Sequence, residues 1–433
     1  MIDNSPSTSV LEPRPVAQVS QPPSLLKSLG PGLVTGAADD DPSGIATYSQ
    51  VGAQFGYGLA WTMLFSFPLM AVIQAVSARI GCVTGYGIAQ NLRRHYSPLL
   101  LRAVVALLLI ANVINLGADL GAMGAALGLL IGGPVLVYAV LFGVLCILLE
   151  VFIDYSRYAA VLKWTTLSLF AYVGVVFAAH VDWSAALYGT IVPTFVFDSA
   201  HAMALVAVLG TTISPYLFFW QAGQEVEELH RRHVKPLCIA PRDAGPELLR
   251  IRTDTIVGMG VSNLIAVFII IATAATLNAS GVTNIQTSSQ AAEALRPIAG
   301  DFTFALFAAG IIGTGMLAVP VLAGSAAYAV SEMLGWTEGL DRRPREAKAF
   351  YGTIAAATLG GAALNFTSLD PIKALYWSAV VNGVLAAPLM AVMMVIAVNP
   401  RVMGRLTLPW PMVVGGWLAT AVMAVVTVGF FAI

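Results

Sequence analysis

The sequence predicts an all-α membrane protein with about eleven transmembrane helices, and three observations lead there. Of the 433 residues, 58% are hydrophobic and 10% charged, and mean hydropathy is +0.81. A soluble domain carries roughly 25% charged residues, so this chain cannot cover itself with polar surface in water and its exterior faces lipid. Apolar runs recur near the length of about 20 residues that crosses a bilayer. Lysine and arginine fall almost entirely in alternate connecting segments.

Residues 1–24 hold Ser, Thr, Pro and Gln without an apolar cluster. They read as a disordered cytoplasmic tail rather than a signal peptide, which needs an apolar core. Residues 25–433 form one membrane domain. Spans are predicted near 31–55, 59–78, 101–130, 133–152, 160–180, 199–221, 255–277, 302–333, 351–365, 373–397 and 408–432. The eighth is long and contains Pro320, which predicts a tilt or a kink.

Orientation follows from the bias of basic residues toward the cytoplasm. With a cytoplasmic N-terminus, 20 of the 22 Lys and Arg lie on that side, and only Arg296 and Lys373 on the other. One missed span would reverse every later loop. The asymmetry therefore supports the span count and an external C-terminus, in a multi-pass protein of a plasma membrane, the bacterial inner membrane. A net charge of −1 without a basic stripe gives no sign of nucleic acid. Cys82, Cys146 and Cys238 are odd in number and show no CxxC spacing, which argues against a disulfide framework or a structural zinc.

The first span contains Gly36-Ala37-Ala38-Asp39-Asp40-Asp41-Pro42-Ser43-Gly44. Three carboxylates in mid-membrane cost about 2.5–3.5 kcal/mol each on insertion scales. Pro42 cannot donate to the helix ladder and Gly44 loosens it. Irregular backbone at this depth survives only when buried in protein or lining a wet cavity, so two half-helices around an unwound stretch are predicted. The sixth span reads Gly210-Thr211-Thr212-Ile213-Ser214-Pro215-Tyr216. Spans one and six are corresponding members of two five-helix halves, and an odd count inverts the second half relative to the first. Paired Pro-interrupted segments point to a transporter binding site; for Pro215 alone, a packing kink is an equal reading.

Gly30-Pro31-Gly32, Ala38, Asp41-Pro42-Ser43-Gly44-Ile45-Ala46-Thr47 and Gly52-Ala53-Gln54-Phe55-Gly56-Tyr57 resemble the first helix of the Nramp (natural resistance-associated macrophage protein) divalent-metal transporters, whose motif reads Asp-Pro-Gly-Asn. Gln74 to Arg79 and Gly81 to Gly85 fit the second helix, with later echoes at Asp254 and Asn399 to Gly404. The resemblance implies a LeuT-type 5+5 inverted repeat with broken helices one and six. It implies a metal site at Asp41, at Gly44 in place of the motif Asn, and at Ser214 in place of a family Met, with the carbonyls of Ala38 and Thr211. The family His on helix six becomes Tyr216.

Thioether sulfur suits softer transition metals, and its removal leaves oxygen donors. Gly and Ser also enlarge the cavity, which suits a hard, hydrated cation such as Mg2+. The chain thus resembles the Nramp-related magnesium transporters more than the manganese and iron importers, with Mn2+ retained as an oxygen-binding candidate. The transported ion is the substrate, and no cofactor is expected. At the family's acidic helix-three positions stand Asn115 and Ala118; Asp119, placed on another helical face, is either a proton carrier or a packing partner on the Gly117, Gly121, Gly124 seam.

Further cavity candidates are Asp39, Asp40, Tyr216 and Asn382. Each of the two acids either collects cations at a vestibule or bonds a neighbouring helix, and Asn382 is open between cavity and packing. Gln224, Glu225, Glu227 and Glu228 read as a solvated helix end, and His230 and His233 as surface residues. The expected activity is alternating-access transport of a divalent cation, Mg2+ or Mn2+, without proton coupling. The alternatives are a proton-coupled Mn2+/Fe2+ importer and a symporter for amines or amino acids. An enzyme is disfavoured, since no HExxH motif occurs and the five histidines form no catalytic pairing with the cysteines. The partners are the ion and the lipid bilayer; the sequence carries no signal for oligomeric state.

Overall fold

The computed structural model describes residues 30–153, 165–367 and 370–432, and among them the only regular structure is helical. The expected N-terminal tail and residues 160–164 of the fifth span lie outside the described residues. The first span is split into α1 (Pro31–Asp39) and α2 (Pro42–Phe55). Then come α3 (Trp61–Thr84), a short amphipathic α4 (Ile88–His95), α5 (Pro98–Ile131), α6 (Val135–Phe152), α7 (Phe170–Ala178) and α8 (Trp183–Ile191). The sixth span is split into α9 (Ser199–Thr212) and α10 (Pro215–Arg231). The rest are α11 (Ala244–Thr273), α12 (Thr303–Leu334), α13 (Lys348–Leu364), α14 (Pro371–Ala397) and α15 (Trp410–Ala432).

Among the described residues, eight helical segments are long and apolar enough to cross a membrane unaided. The other three expected spans are the broken first, the fifth, represented by α7, and the ninth, the 17-residue α13. Several helices outrun their apolar runs. α11 starts at Ala244 and α10 continues to Arg231, because backbone hydrogen bonds continue where hydropathy has already fallen. Pro320 sits inside α12 without breaking it.

Contacts between helices repeat with the inverted symmetry that the sequence predicts. The third span packs along the eighth, α5 on α12. The first packs on the seventh as the sixth packs on the second, α1 on α11 and α10 on α3. The third packs on the fourth as the eighth packs on the ninth. Both half-helices that lead into a break dock through glycine. A β-carbon on Gly36 would stand 2.3 Å from the Gly258 carbonyl oxygen of α11, and one on Gly210 would stand 2.1 Å from the Ala379 carbonyl oxygen of α14. No side chain fits there, so the two broken spans are seated backbone to backbone. Cys82 and Cys146 are buried, Cys238 is exposed, and all three are free.

Candidate metal site at the two helix breaks

Pro42 takes the first position of α2, where its missing N–H is no loss. Asp41 is the N-cap, and its Oδ1 accepts the Gly44 amide at 2.6 Å. Pro215 opens α10 in the same way behind Ser214. Ser214 does not cap. Its hydroxyl turns back and donates to the carbonyls of Gly210 (2.8 Å) and Thr211 (2.9 Å).

The second Asp41 oxygen gathers donors from two other spans. Asn115 Nδ2 donates to Oδ2 at 3.0 Å, and the Tyr216 hydroxyl lies 3.5 Å from it while bonding the Ala38 carbonyl at 3.0 Å. Asp41, Ala38, Asn115 and Tyr216 are each at most 2% exposed, so this group is occluded from solvent. The Asn115 carbonyl oxygen Oδ1 is buried without a hydrogen-bond partner.

The breaks meet at Gly44. A β-carbon there would lie 3.2 Å from Thr211 Oγ1, 3.3 Å from the Asp39 carbonyl oxygen and 3.4 Å from Asp41 Oδ1. That contact corrects the expectation of a roomy site: in this occluded arrangement the space left by the missing Asn side chain is closed by Thr211 and the Asp39 carbonyl. Asp39 and Asp40 turn toward α11, where the Ser262 hydroxyl lies 2.8 Å from Asp39 Oδ2 and 3.0 Å from Asp40 Oδ1. Asn382 is buried on α14, and no hydrogen bond joins it to the Asp41 group among the described residues.

Asp119 needs a correction. It is four residues after Asn115 on α5, hence on the same helical face, and it feels the Asp41 charge. The Ser43 amide lies near it, short of good hydrogen-bond geometry, and both carboxylate oxygens are buried without a partner. The glycine seam faces elsewhere: Gly117 and Gly121 back on Gly361 and Asn365, and Gly124 on Val135 and Ala139. Glu150 at the end of α6 is likewise buried with both carboxylate oxygens unpartnered among the described residues, and its place inside an apolar span is the sequence signal for it.

On the predicted cytoplasmic side, α1, α10 and α11 are joined by ionic and hydrogen-bonded contacts. The Asp254 carboxylate accepts the amides of Gly30 (2.9 Å), Gly32 (2.7 Å) and Leu33 (3.1 Å), capping α1 from α11. Arg250 pairs with Glu225 at 2.6 Å and with Glu247 at 2.7 Å, and Arg232 joins Glu247 at 2.7 Å. Glu225 and Glu227 are thus not on a solvated helix end, being 1% and 7% exposed. Glu227 accepts the Tyr328 hydroxyl and, at 2.6 Å, the Leu340 amide. In the connection after α12, burial and the Glu332 and Glu227 carboxylates push Glu338 up to about 9. His230 and His233 are exposed. On the opposite side, Phe55 of α2 meets His201 of α9 with ring centroids 4.4 Å apart.

A family model described as natural resistance-associated macrophage protein-like matches residues 32–432. Curated relatives named divalent metal cation transporter MntH, from Verminephrobacter eiseniae and Klebsiella pneumoniae, are 28% and 27% identical. The alignments cover 67% of this chain in both cases and 65% and 68% of theirs, so the chain spans about two thirds of the length of those relatives. The fold is that of the manganese transporter of Eremococcus coleocola, with TM-score 0.73 and 17% identity over 93% of this chain and 85% of that one. It is also similar to Mhp1, a nucleobase-cation-symport-1 family transporter, at TM-score 0.59 and 14% identity over 93% and 92%. The family match begins inside α1 and ends at the last residue of α15, enclosing both helix breaks and every described span between them, and the chain belongs to the Nramp family.

Proposed function

We propose that this protein carries a hard divalent cation, Mg2+ or Mn2+, across the membrane by alternating access, with the ion bound at Asp41 between the two helix breaks. The observation that carries this reading is the donor set. The lone pairs gathered around Asp41 are on oxygen: its own carboxylate, the Ala38 carbonyl, the Tyr216 hydroxyl and, within the Asn115 carboxamide, Oδ1. None of the groups hydrogen-bonded to Asp41 or Ala38 among the described residues offers sulfur. Oxygen-only sites suit Mg2+ and Mn2+. The amide that the family motif supplies next to its Asp is absent at Gly44, and Asn115 brings one from α5. Turned end for end, its carboxamide presents Oδ1 where it now presents Nδ2. The Ala38 and Thr211 carbonyls, both engaged by hydroxyls of Tyr216 and Ser214, complete the proposed ligands when those hydroxyls rotate away.

Proton coupling is not part of this reading. Asn115 and Ala118 do not titrate, and Tyr has a reference pKa near 10. A negative-inside potential alone gives an entering divalent ion about 4.6 kcal/mol per 100 mV, twice the single-charge value. The cytoplasmic N-terminus and external C-terminus, in a bacterial inner membrane, are supported by the confinement of 20 of 22 basic residues to one side.

One observation favours a second reading, a softer ion such as ferrous iron. Met123 continues the Asn115–Asp119 face of α5, and its sulfur lies against Gly315, which also backs on Pro42. Uptake of Mg2+, Mn2+ and Ca2+ into proteoliposomes, with a pH-sensitive dye inside, separates the two. Saturable Mg2+ flux without acidification supports the first; flux confined to Mn2+ and softer ions, with acidification, removes it.

A further inference from the structure

We propose that the groove between α3, α11 and α15 is a binding site for an anionic phospholipid, with Arg252 and Arg79 holding its phosphate. The groove has a volume of about 740 Å3, and among the residues lining it are Phe67, Val72, Ile256 and Met412. Among the described residues no carboxylate lines it, whereas two guanidinium groups do.

Neither cation has an acidic partner among the described residues. Arg79 donates to the Leu406 carbonyl (3.1 Å) and the Thr407 carbonyl (3.0 Å), which fixes the side chain on neutral acceptors. Arg252 is exposed and forms no ion pair among the described residues. The contrast lies on the same helix end. Arg250, two residues earlier, faces inward and is bound by Glu225 and Glu247. The arginine turned into the protein thus has its anions built in, and the arginines turned into the groove do not.

The dimensions fit a lipid. Phe67 and Arg79 are twelve residues apart on α3, about 18 Å of helix, close to the depth of one leaflet of a core about 30 Å thick. Apolar wall therefore runs through acyl-chain depth and ends in arginine at headgroup depth. Trp410 at the start of α15 is 75% exposed, the position of an interfacial anchor. Basic pockets between spans at the cytoplasmic interface attract anionic headgroups. A neutral lipid would fill the same apolar wall but leave both charges uncompensated.

The test uses the full chain in nanodiscs made from equal parts phosphatidylglycerol and phosphatidylcholine, with native mass spectrometry of the lipids that stay bound on release. Wild type retains phosphatidylglycerol in preference. Arg252→Gln lowers that preference about fivefold, the equivalent of about 1 kcal/mol for one basic residue near the surface. Leu249→Glu, which sets a carboxylate beside the headgroup position at a side chain 63% exposed, lowers it as well, while Leu249→Gln does not. Equal retention of the two lipids by wild type overturns the proposal. So does a preference that survives both Arg252→Gln and Leu249→Glu, since the selectivity would then arise elsewhere. Both substitutions are at exposed positions, so the variants fold and the comparison can be made.

Discussion

Asn115 donates its side-chain amide to Asp41 across 3.0 Å, from a helix 74 residues further along the chain. The bond joins the third span to the broken first and leaves the Asn115 carbonyl oxygen bare. Asn115→Leu is expected to weaken metal binding several-fold, and Asn115→Asp to tighten it while making it depend on pH. Calorimetric titration with Mn2+ across a pH series checks both, and equal affinity in all three proteins would remove Asn115 from the ligand set.

Asp41→Asn keeps the shape and deletes the anion. It leaves the Gly44 cap with a neutral acceptor, so the fold is retained. Affinity for Mg2+ and Mn2+ drops at least about tenfold, or about 1.4 kcal/mol. Unchanged affinity would falsify the assigned site.

Ser214→Met combined with Gly44→Asn restores the family's donors. The Asn side chain needs Thr211 Oγ1 to yield by a few tenths of an ångström, since a β-carbon at Gly44 stands 3.2 Å from it. The double variant is expected to be modestly less stable and to favour Mn2+ or Cd2+ over Mg2+ in competitive uptake. A folded variant with the original preference means that Ser214 does not face the ion.

Metal flux is expected to follow the membrane potential without acidifying the liposome interior. Asp119 is the group that could overturn this, being buried, unpartnered and within reach of the Asp41 charge. Metal-dependent acidification that persists at zero potential and vanishes in Asp119→Asn would make it the proton carrier.

Glu338 predicts a pH dependence of stability. Its raised pKa means that the folded connection prefers the neutral acid. The contribution is complete below the ordinary value of 4.5 and is lost as pH rises toward about 9. The gain in Tm of Glu338→Gln over wild type therefore grows between about pH 5 and about pH 9. A constant difference across that window would show that the side chain is solvated.

The helix breaks were legible because their signals are local: a proline behind an aspartate or a serine, inside an apolar run. What could not be read is tertiary. Nothing near Asn115 says that its amide reaches Asp41. The charges of Glu225 and Glu227 look like a wet helix end until Arg250 and Tyr328 arrive from other spans. Asp119 lies one residue from Ala118, about 100° around the helix, but four from Asn115, whose face it shares. Hydropathy does not mark helix ends where polar residues continue the ladder, as between Ala244 and residue 255.

Asp254 has a consequence for kinetics. The amides of Gly30, Gly32 and Leu33 are among those that a helix N-terminus leaves unpaired, and the group that satisfies them belongs to another helix. If α1 swings away, three N–H groups and one carboxylate must find new partners together, and on a side that opens to the aqueous phase water supplies them. Water is then a reactant in the opening of that side. Osmotic stress, which lowers its activity, slows the step even where ion gradient and voltage are held fixed.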